Sequence, residues 1–369
     1  MRPTLHDLPY FPRPALLESI LAIYQSGLAQ GITLFAPRRQ GKTSFVRHEL
    51  LPAAANLDWQ PVYLDLWSRR EHPELALVEG VEAAARHGQG LFQRPLKLDK
   101  LRTTAKLPGV ELQAEVAPEA ELARSDDLVR RLAGALGLLL TRHPQTLLVL
   151  DEFQALAAAQ SEGFVAALRA AIQRYRGQLV LFYTGSSREA LNSMFRRQKA
   201  PLFASAHPIT LPDLGEDFVA DRAAFLQDRT GLQVDLAALE SAFARMGRTP
   251  EFLNSLIINL MVAGNADIGP AMEAWLQHQR ENSAVQLAEL DALDLAVLQL
   301  LVLPRPPKLF SREALAEVKK AAGKEVTTGR IQTSIKRLIR RDLVAPTGGH
   351  GDYEVNDRAL LVYLREGGV

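Results

Sequence analysis

"LFAPRRQGKTSFV", Leu34 to Val46, decides how the rest of the chain is read. It joins an apolar run, "GITLFA" from Gly31, to an amphipathic stretch from Gly41 to Leu51, and the joint carries Gly41-Lys42-Thr43. A strand that passes into a helix through such a joint presents backbone N–H groups and the positive end of the helix to an anion. The Lys ammonium then reaches the outer phosphates, and the Thr hydroxyl reaches Mg²⁺. Ala36 stands where such a loop usually opens with glycine, which is tolerable if its backbone keeps a negative φ. Gly41 is less replaceable, because it lets the backbone approach the phosphate. Ala36, Pro37, Arg38, Arg39, Gln40, Gly41, Lys42, Thr43 and Ser44 are therefore candidate phosphate-binding residues. A basic turn capping a helix would use the same residues, so a second element is needed.

"TLLVLDE" supplies it. Asp151 and Glu152 end an apolar strand, where one carboxylate can hold the water shell of Mg²⁺ and its neighbour can orient an attacking water. An acidic helix start would also place acids there, but the pairing with a phosphate loop favours chemistry. In "LFYTGSS" the hydroxyls of Thr184 and Ser186 stand at a third strand end, where they can sense the outer phosphate; a Gly-Ser turn capping the next helix is the equal alternative.

Further outward, "PVYLDLW" is another strand, and helical patterns at Gly41 to Leu51, Asp126 to Arg142 and Ser161 to Arg176 fall between the strands. Strands alternating with helices predict an α/β fold, a parallel sheet between helices, with chemistry at the carboxyl ends of the strands. Residues 88–125 break this rhythm and read as an irregular or hairpin insertion. From about Leu214 only helical patterns follow, with a joint at "GRTP" where Gly247 ends one helix and Pro250 opens the next.

The last unit reads as helix, linker, helix, turn, helix, hairpin, which resembles a winged helix-turn-helix. Ser311 caps its second helix, Gly323 ends it, and Thr327 or Thr328 starts the third. On that third helix Ile331, Ile335 and Leu338 share a face, leaving Arg330, Lys336, Arg337, Arg340 and Arg341 towards solvent. These are candidate contacts to double-stranded DNA. A protein-docking module would have the same shape.

The sequence also resembles the AAA+/STAND-type P-loop ATPases, in particular the archaeal-ATPase-like group related to origin-recognition ATPases. The likeness spans about residues 10–280 and rests on "YFPRPALLESI", "APRRQGKTS", "VYLDLW", "LLVLDEFQAL", "TGSSREALNSMF", "APLF" and "GRTPEFL". It implies ATP and Mg²⁺ as cofactors, with Thr43 and Asp151 on the metal side and Lys42, Glu152 and Thr184 in catalysis. It also implies Phe11 and Arg13 near the base, although Pro12 replaces the family glycine. The family's Gly-Arg after "PLF" is replaced by Ala204-Ser205, so Arg196 or Arg197 stands in for the arginine offered to a neighbouring subunit; self-association is implied. Arg248 stands in the place of the lid arginine, with a solvated helix end as the alternative reading. The expected division is a P-loop core at 1–212, a helical lid at 213–285 and a winged helix at 286–369.

A formal charge of +1 over 369 residues means that any nucleic-acid affinity comes from local clustering of basic residues. Cysteine is absent, and there is no apolar leader or run long enough to span a membrane, so a cytoplasmic protein is expected. Two functions follow: an ATP-hydrolysing, DNA-associated switch, or a signalling NTPase whose last unit holds a protein partner.

Overall fold

Five short runs form one parallel sheet in a computed structural model that describes residues 8–69, 71–87, 118–303, 306–341, 343–346 and 352–365. The strands are β1 (Gly31–Phe35), β2 (Gln60–Asp65), β3 (Thr146–Asp151), β4 (Leu179–Gly185) and β5 (His207–Thr210), in the order β2-β3-β4-β1-β5. All six residues of β3 are buried, as a continuous apolar run in a sheet covered on both faces requires. Alternate residues serve opposite cores: Leu148 and Leu150 face one cluster, Leu147 and Val149 the other. β5 is absent from the sequence reading. It is a short edge strand, mostly exposed and containing Pro208, so it carries no apolar signal.

α1 (Pro14–Gln25) precedes β1 and packs through Leu16, Ile20 and Tyr24. The helix after the loop runs as α2 (Lys42–Phe45), a π turn (Val46–Leu50) and α3 (Leu51–Asn56). It therefore passes the expected end at Leu51. The π turn ends two residues before Pro52, which has no N–H to donate and would clash with the carbonyl four residues earlier, that of His48. α4 (Pro73–His87) and α5 (Pro118–Arg142) pack side by side. α6 (Glu162–Arg174) and α7 (Arg188–Phe195) complete this layer, the latter capped by the Ser187 hydroxyl, which accepts from the Ala190 N–H. Of the expected insertion, residues 88–117 lie outside the described residues. Its last part is helical instead, because the Glu, Ala and Leu of residues 119–123 extend α5.

α8 (Glu216–Thr230), α9 (Leu236–Arg245), α10 (Pro250–Ala263) and α11 (Ile268–Leu287) enclose a cluster centred on Phe218, Phe243, Phe252 and Trp275. The joint is as expected: Gly247 has φ 65° and Pro250 sits in the first turn of α10.

α12 (Ala292–Leu301), α13 (Arg312–Ala322) and α14 (Thr328–Arg340) are followed by a hairpin of β6 (Val344–Pro346) and β7 (Tyr353–Val355). The Ser311 and Thr327 side chains cap α13 and α14, and Gly323 leaves α13 at φ 64°. The order and pairing are consistent with a winged helix; the hairpin tip, 347–351, lies outside the described residues. α15 (Arg358–Arg365) is new. Its Ala359 and Val362 join the α8–α11 cluster, while Leu360 and Leu364 join the last one. One helix thus ties the two clusters together. Among the described residues no single helix is long and apolar enough to cross a membrane.

Candidate functional site

The loop after β1 emerges at the carboxyl end of the sheet. Ala36 is buried and does not adopt a positive φ, so the glycine it replaces is not needed here. Positive φ falls instead at Arg39 (68°) and Gly41 (86°). A Cβ on Gly41 would meet nothing nearer than Arg13 Nη2 at 4.0 Å. Backbone conformation, not crowding, therefore requires glycine there.

Lys42 is buried, and its Nζ donates back to the loop's own carbonyls, Ala36 O at 2.7 Å and Pro37 O at 3.1 Å. Burial pushes the ammonium below the ordinary lysine pKa, against the pull of the Glu152 and Asp151 carboxylates. Beside it the buried Gln40 side chain has an Nε2 with no partner. A desolvated cation, an unsatisfied buried donor and a helix N-terminus at one point suit an anion.

Asp151 is 2% exposed and accepts from every side. Its Oδ2 takes Thr43 Oγ1 at 2.8 Å and the Tyr63 hydroxyl at 2.6 Å; its Oδ1 takes Thr184 Oγ1 and the Glu152 N–H at 3.1 Å. β2, β3, β4 and the loop after β1 thus converge on one carboxylate. Burial, then the charge of Asp151, raise the Tyr63 phenol far above its ordinary pKa, so it remains a donor. Glu152 has φ 54°, a left-handed conformation that persists where surrounding contacts enforce it. Its Oε2 accepts from Ser186 Oγ at 2.8 Å and from Gln154 Nε2.

Three other parts of the chain reach this group. Arg13 is buried and donates to Gln40 O at 3.1 Å, gripping the loop from the N-terminal segment. Phe11 packs edge-on against Phe218 of α8, with centroids 5.4 Å apart. Arg38 lies over the Trp67 ring at 4.6 Å, and Arg39 lies over Phe252 at 5.3 Å with Glu251 at 3.5 Å. The loop is therefore tied both to the end of β2 and to α10. Ser44 is exposed. Arg248 is turned into its own helical unit, 2.5 Å from Glu240. Arg196 and Arg197 are exposed just beyond the end of α7.

The basic residues of the last unit divide into two sets. Arg337 donates to Asp291 Oδ2 and Asp294 Oδ1, both at 2.7 Å, and Asp294 also accepts from Ser334 at 2.5 Å. Arg341 reaches Glu289 at 3.1 Å, and Arg330 donates to Glu325 O at 2.6 Å. Lys336 and Arg340 are exposed. Arg337 is consequently part of the framework joining α14 to α12. Arg337→Ala leaves the Asp294 carboxylate, 5% exposed, without its cation. The expected loss of stability is about 2–3 kcal/mol, less than for a fully buried pair because the guanidinium is 35% exposed. Chemical denaturation measures it, and an unchanged midpoint would return Arg337 to the surface set.

Sequence reasoning missed Tyr63, Gln154 and Glu49, which accepts from the Arg13 N–H at 2.7 Å. For Tyr63 the only signal was its place two residues before Asp65, hence on the same face; that Asp65 pairs with Asp151 is set by the sheet and not by the sequence. For Gln154 and Glu49 there was none.

No protein-family model and no curated protein matches the chain. Among solved structures it is similar to the Walker-type ATPase PABY2304 of Pyrococcus abyssi, at 19% identity and a TM-score of 0.60, covering 98% of this chain and 100% of that one. It is also similar to the ORC2 protein of Aeropyrum pernix in its ADP form, at 13% identity and a TM-score of 0.56, covering 98% and 96%. At such identities the shared feature is the fold.

Proposed function

We propose that this protein is an ATP-binding and ATP-hydrolysing switch that associates with DNA, built from a P-loop core (1–212), a helical lid (213–285) and a winged helix (286–369). The observation that carries the reading is the 2.8 Å contact between Thr43 Oγ1 and Asp151 Oδ2, beside the buried Lys42 ammonium. A hydroxyl at the loop and a carboxylate at a strand end meet where Mg²⁺ would be held. Bound ATP with Mg²⁺ supplies the phosphoryl group and neutralises its charge. Lys42 would exchange its loop carbonyls for phosphate oxygens, and Arg13, through Gln40 O, would hold the loop in place. Ser186 and Gln154 hold Glu152 Oε2, which leaves Oε1 as the basic oxygen for a water. Exposure of Arg196 and Arg197 suits an arginine offered to a second copy of the chain. Similarity in fold to an ATPase and to an ORC protein in its ADP form is in keeping with this.

DNA contact is assigned first to Lys336 and Arg340, which are exposed, and then to Arg330 and Arg341, whose partners are themselves exposed. In a salt series with duplex DNA, replacing Lys336 and Arg340 together by alanine should reduce the slope of log K against log salt by about 2. ATP, compared with ADP, should change DNA affinity by roughly 5- to 150-fold. Equal affinity in the apo, ADP and ATP states would end the switch proposal.

A second reading is a signalling NTPase whose last unit holds a protein partner or a closed state. It is favoured by the acidic partners that neutralise Arg337 and Arg341 and by the way α15 joins the last unit to the lid. Absence of DNA binding even at low salt would select it.

A further inference from the structure

We propose that Tyr63 is a positioning residue for Mg²⁺: its hydroxyl fixes the Asp151 carboxylate so that Asp151 and Thr43 present their oxygens together. This rests on the ATP-binding reading of the site above. Asp151 Oδ2 has two donors, Thr43 at 2.8 Å and Tyr63 at 2.6 Å. Thr43 can offer an oxygen lone pair to a cation while its proton stays on Oδ2, so the position of Oδ2 sets the direction of that lone pair. Tyr63 is the second donor that holds that oxygen in place, while Thr184 and the Glu152 N–H hold the other. Without the phenol, Thr43 alone holds Oδ2, which is freer to rotate and to carry the Thr43 oxygen out of line with the metal.

The ring itself is fixed independently of this bond. Tyr63 stands on β2, in register with Val149 of β3, and Arg47 from the π turn covers its face at 5.0 Å. Removing only the hydroxyl therefore leaves the ring, its stacking and the sheet in place. The hydroxyl is the part of Tyr63 that touches the proposed metal holders, which makes its effect separable from packing.

The test is Tyr63→Phe in the full chain, with ATP titrated directly in EDTA and in Mg²⁺. We expect ATP affinity in EDTA to stay within about twofold, while the Mg²⁺ needed for half-maximal tightening rises about tenfold, the worth of one hydrogen bond to a charged group. In an Asp151→Asn background the same change should have no further effect on the Mg²⁺ requirement. A merely structural role would lower the melting temperature and weaken ATP in both media equally, and that result overturns the proposal. So does a wild-type Mg²⁺ requirement in Tyr63→Phe. A wild-type chain that binds no ATP in either medium overturns this proposal and the function together, whereas wild-type binding of Mg·ATP with an indifferent Tyr63 removes only the former.

Discussion

Lys42→Ala should weaken ATP binding roughly 100-fold, the worth of about 3 kcal/mol of lost charge-assisted hydrogen bonding. Its cost to the fold should be small, within about 1 kcal/mol, the net worth of an ordinary hydrogen bond. Two opposing effects account for that. The ammonium's bonds to Ala36 O and Pro37 O are lost, but so is the desolvation of a buried cation whose pKa burial already depresses. Direct titration gives the affinity and thermal unfolding the stability. Unchanged affinity would remove the phosphate-loop assignment, and collapse of the fold would make Lys42 a framework residue rather than a ligand.

Glu152→Gln should retain ATP and Mg²⁺ to within about threefold and slow hydrolysis by about 100-fold, the low end of what a general base contributes. The amide keeps the shape of the side chain, and its oxygen can still accept from Ser186 as the carboxylate does at 2.8 Å. What disappears is the charge that makes the oxygen basic. Single-turnover hydrolysis separates this step from binding. Wild-type turnover in the variant would reduce Glu152 to an acid at the start of a short helical turn. Failure of both proteins to turn over while binding ATP would direct attention to Arg196 and Arg197, supplied to a second copy.

The parallel sheet, the helical joint at Gly247 and Pro250, and the caps at Ser311 and Thr327 were legible in the residues, because each depends on local chemistry. A continuous apolar run such as β3 has few places to be other than a buried strand, and a hydroxyl before a helix satisfies an N–H wherever that helix packs. The loop from Ala36 to Ser44 was legible for the same reason, since its residues are consecutive. Local signals were silent where an element is defined by its neighbours. β5 is a strand only because β1 offers it an edge, and α15 forms against two clusters drawn from distant stretches of chain.

The same division runs through the site. Sequence by itself determined which groups carry charge and which hydroxyls stand at a strand end or at the start of the helix after the loop: Lys42, Thr43, Asp151, Glu152 and Thr184 come with their motifs. Tertiary structure decided how those groups are engaged. It brought Tyr63 from one strand and Thr184 from another onto a single carboxylate, and it turned Arg337 from a presumptive surface charge into the partner of Asp294. A buried carboxylate must find donors wherever the fold brings them, from any distance in the chain. That requirement is met in space, and no spacing of residues along the chain records it.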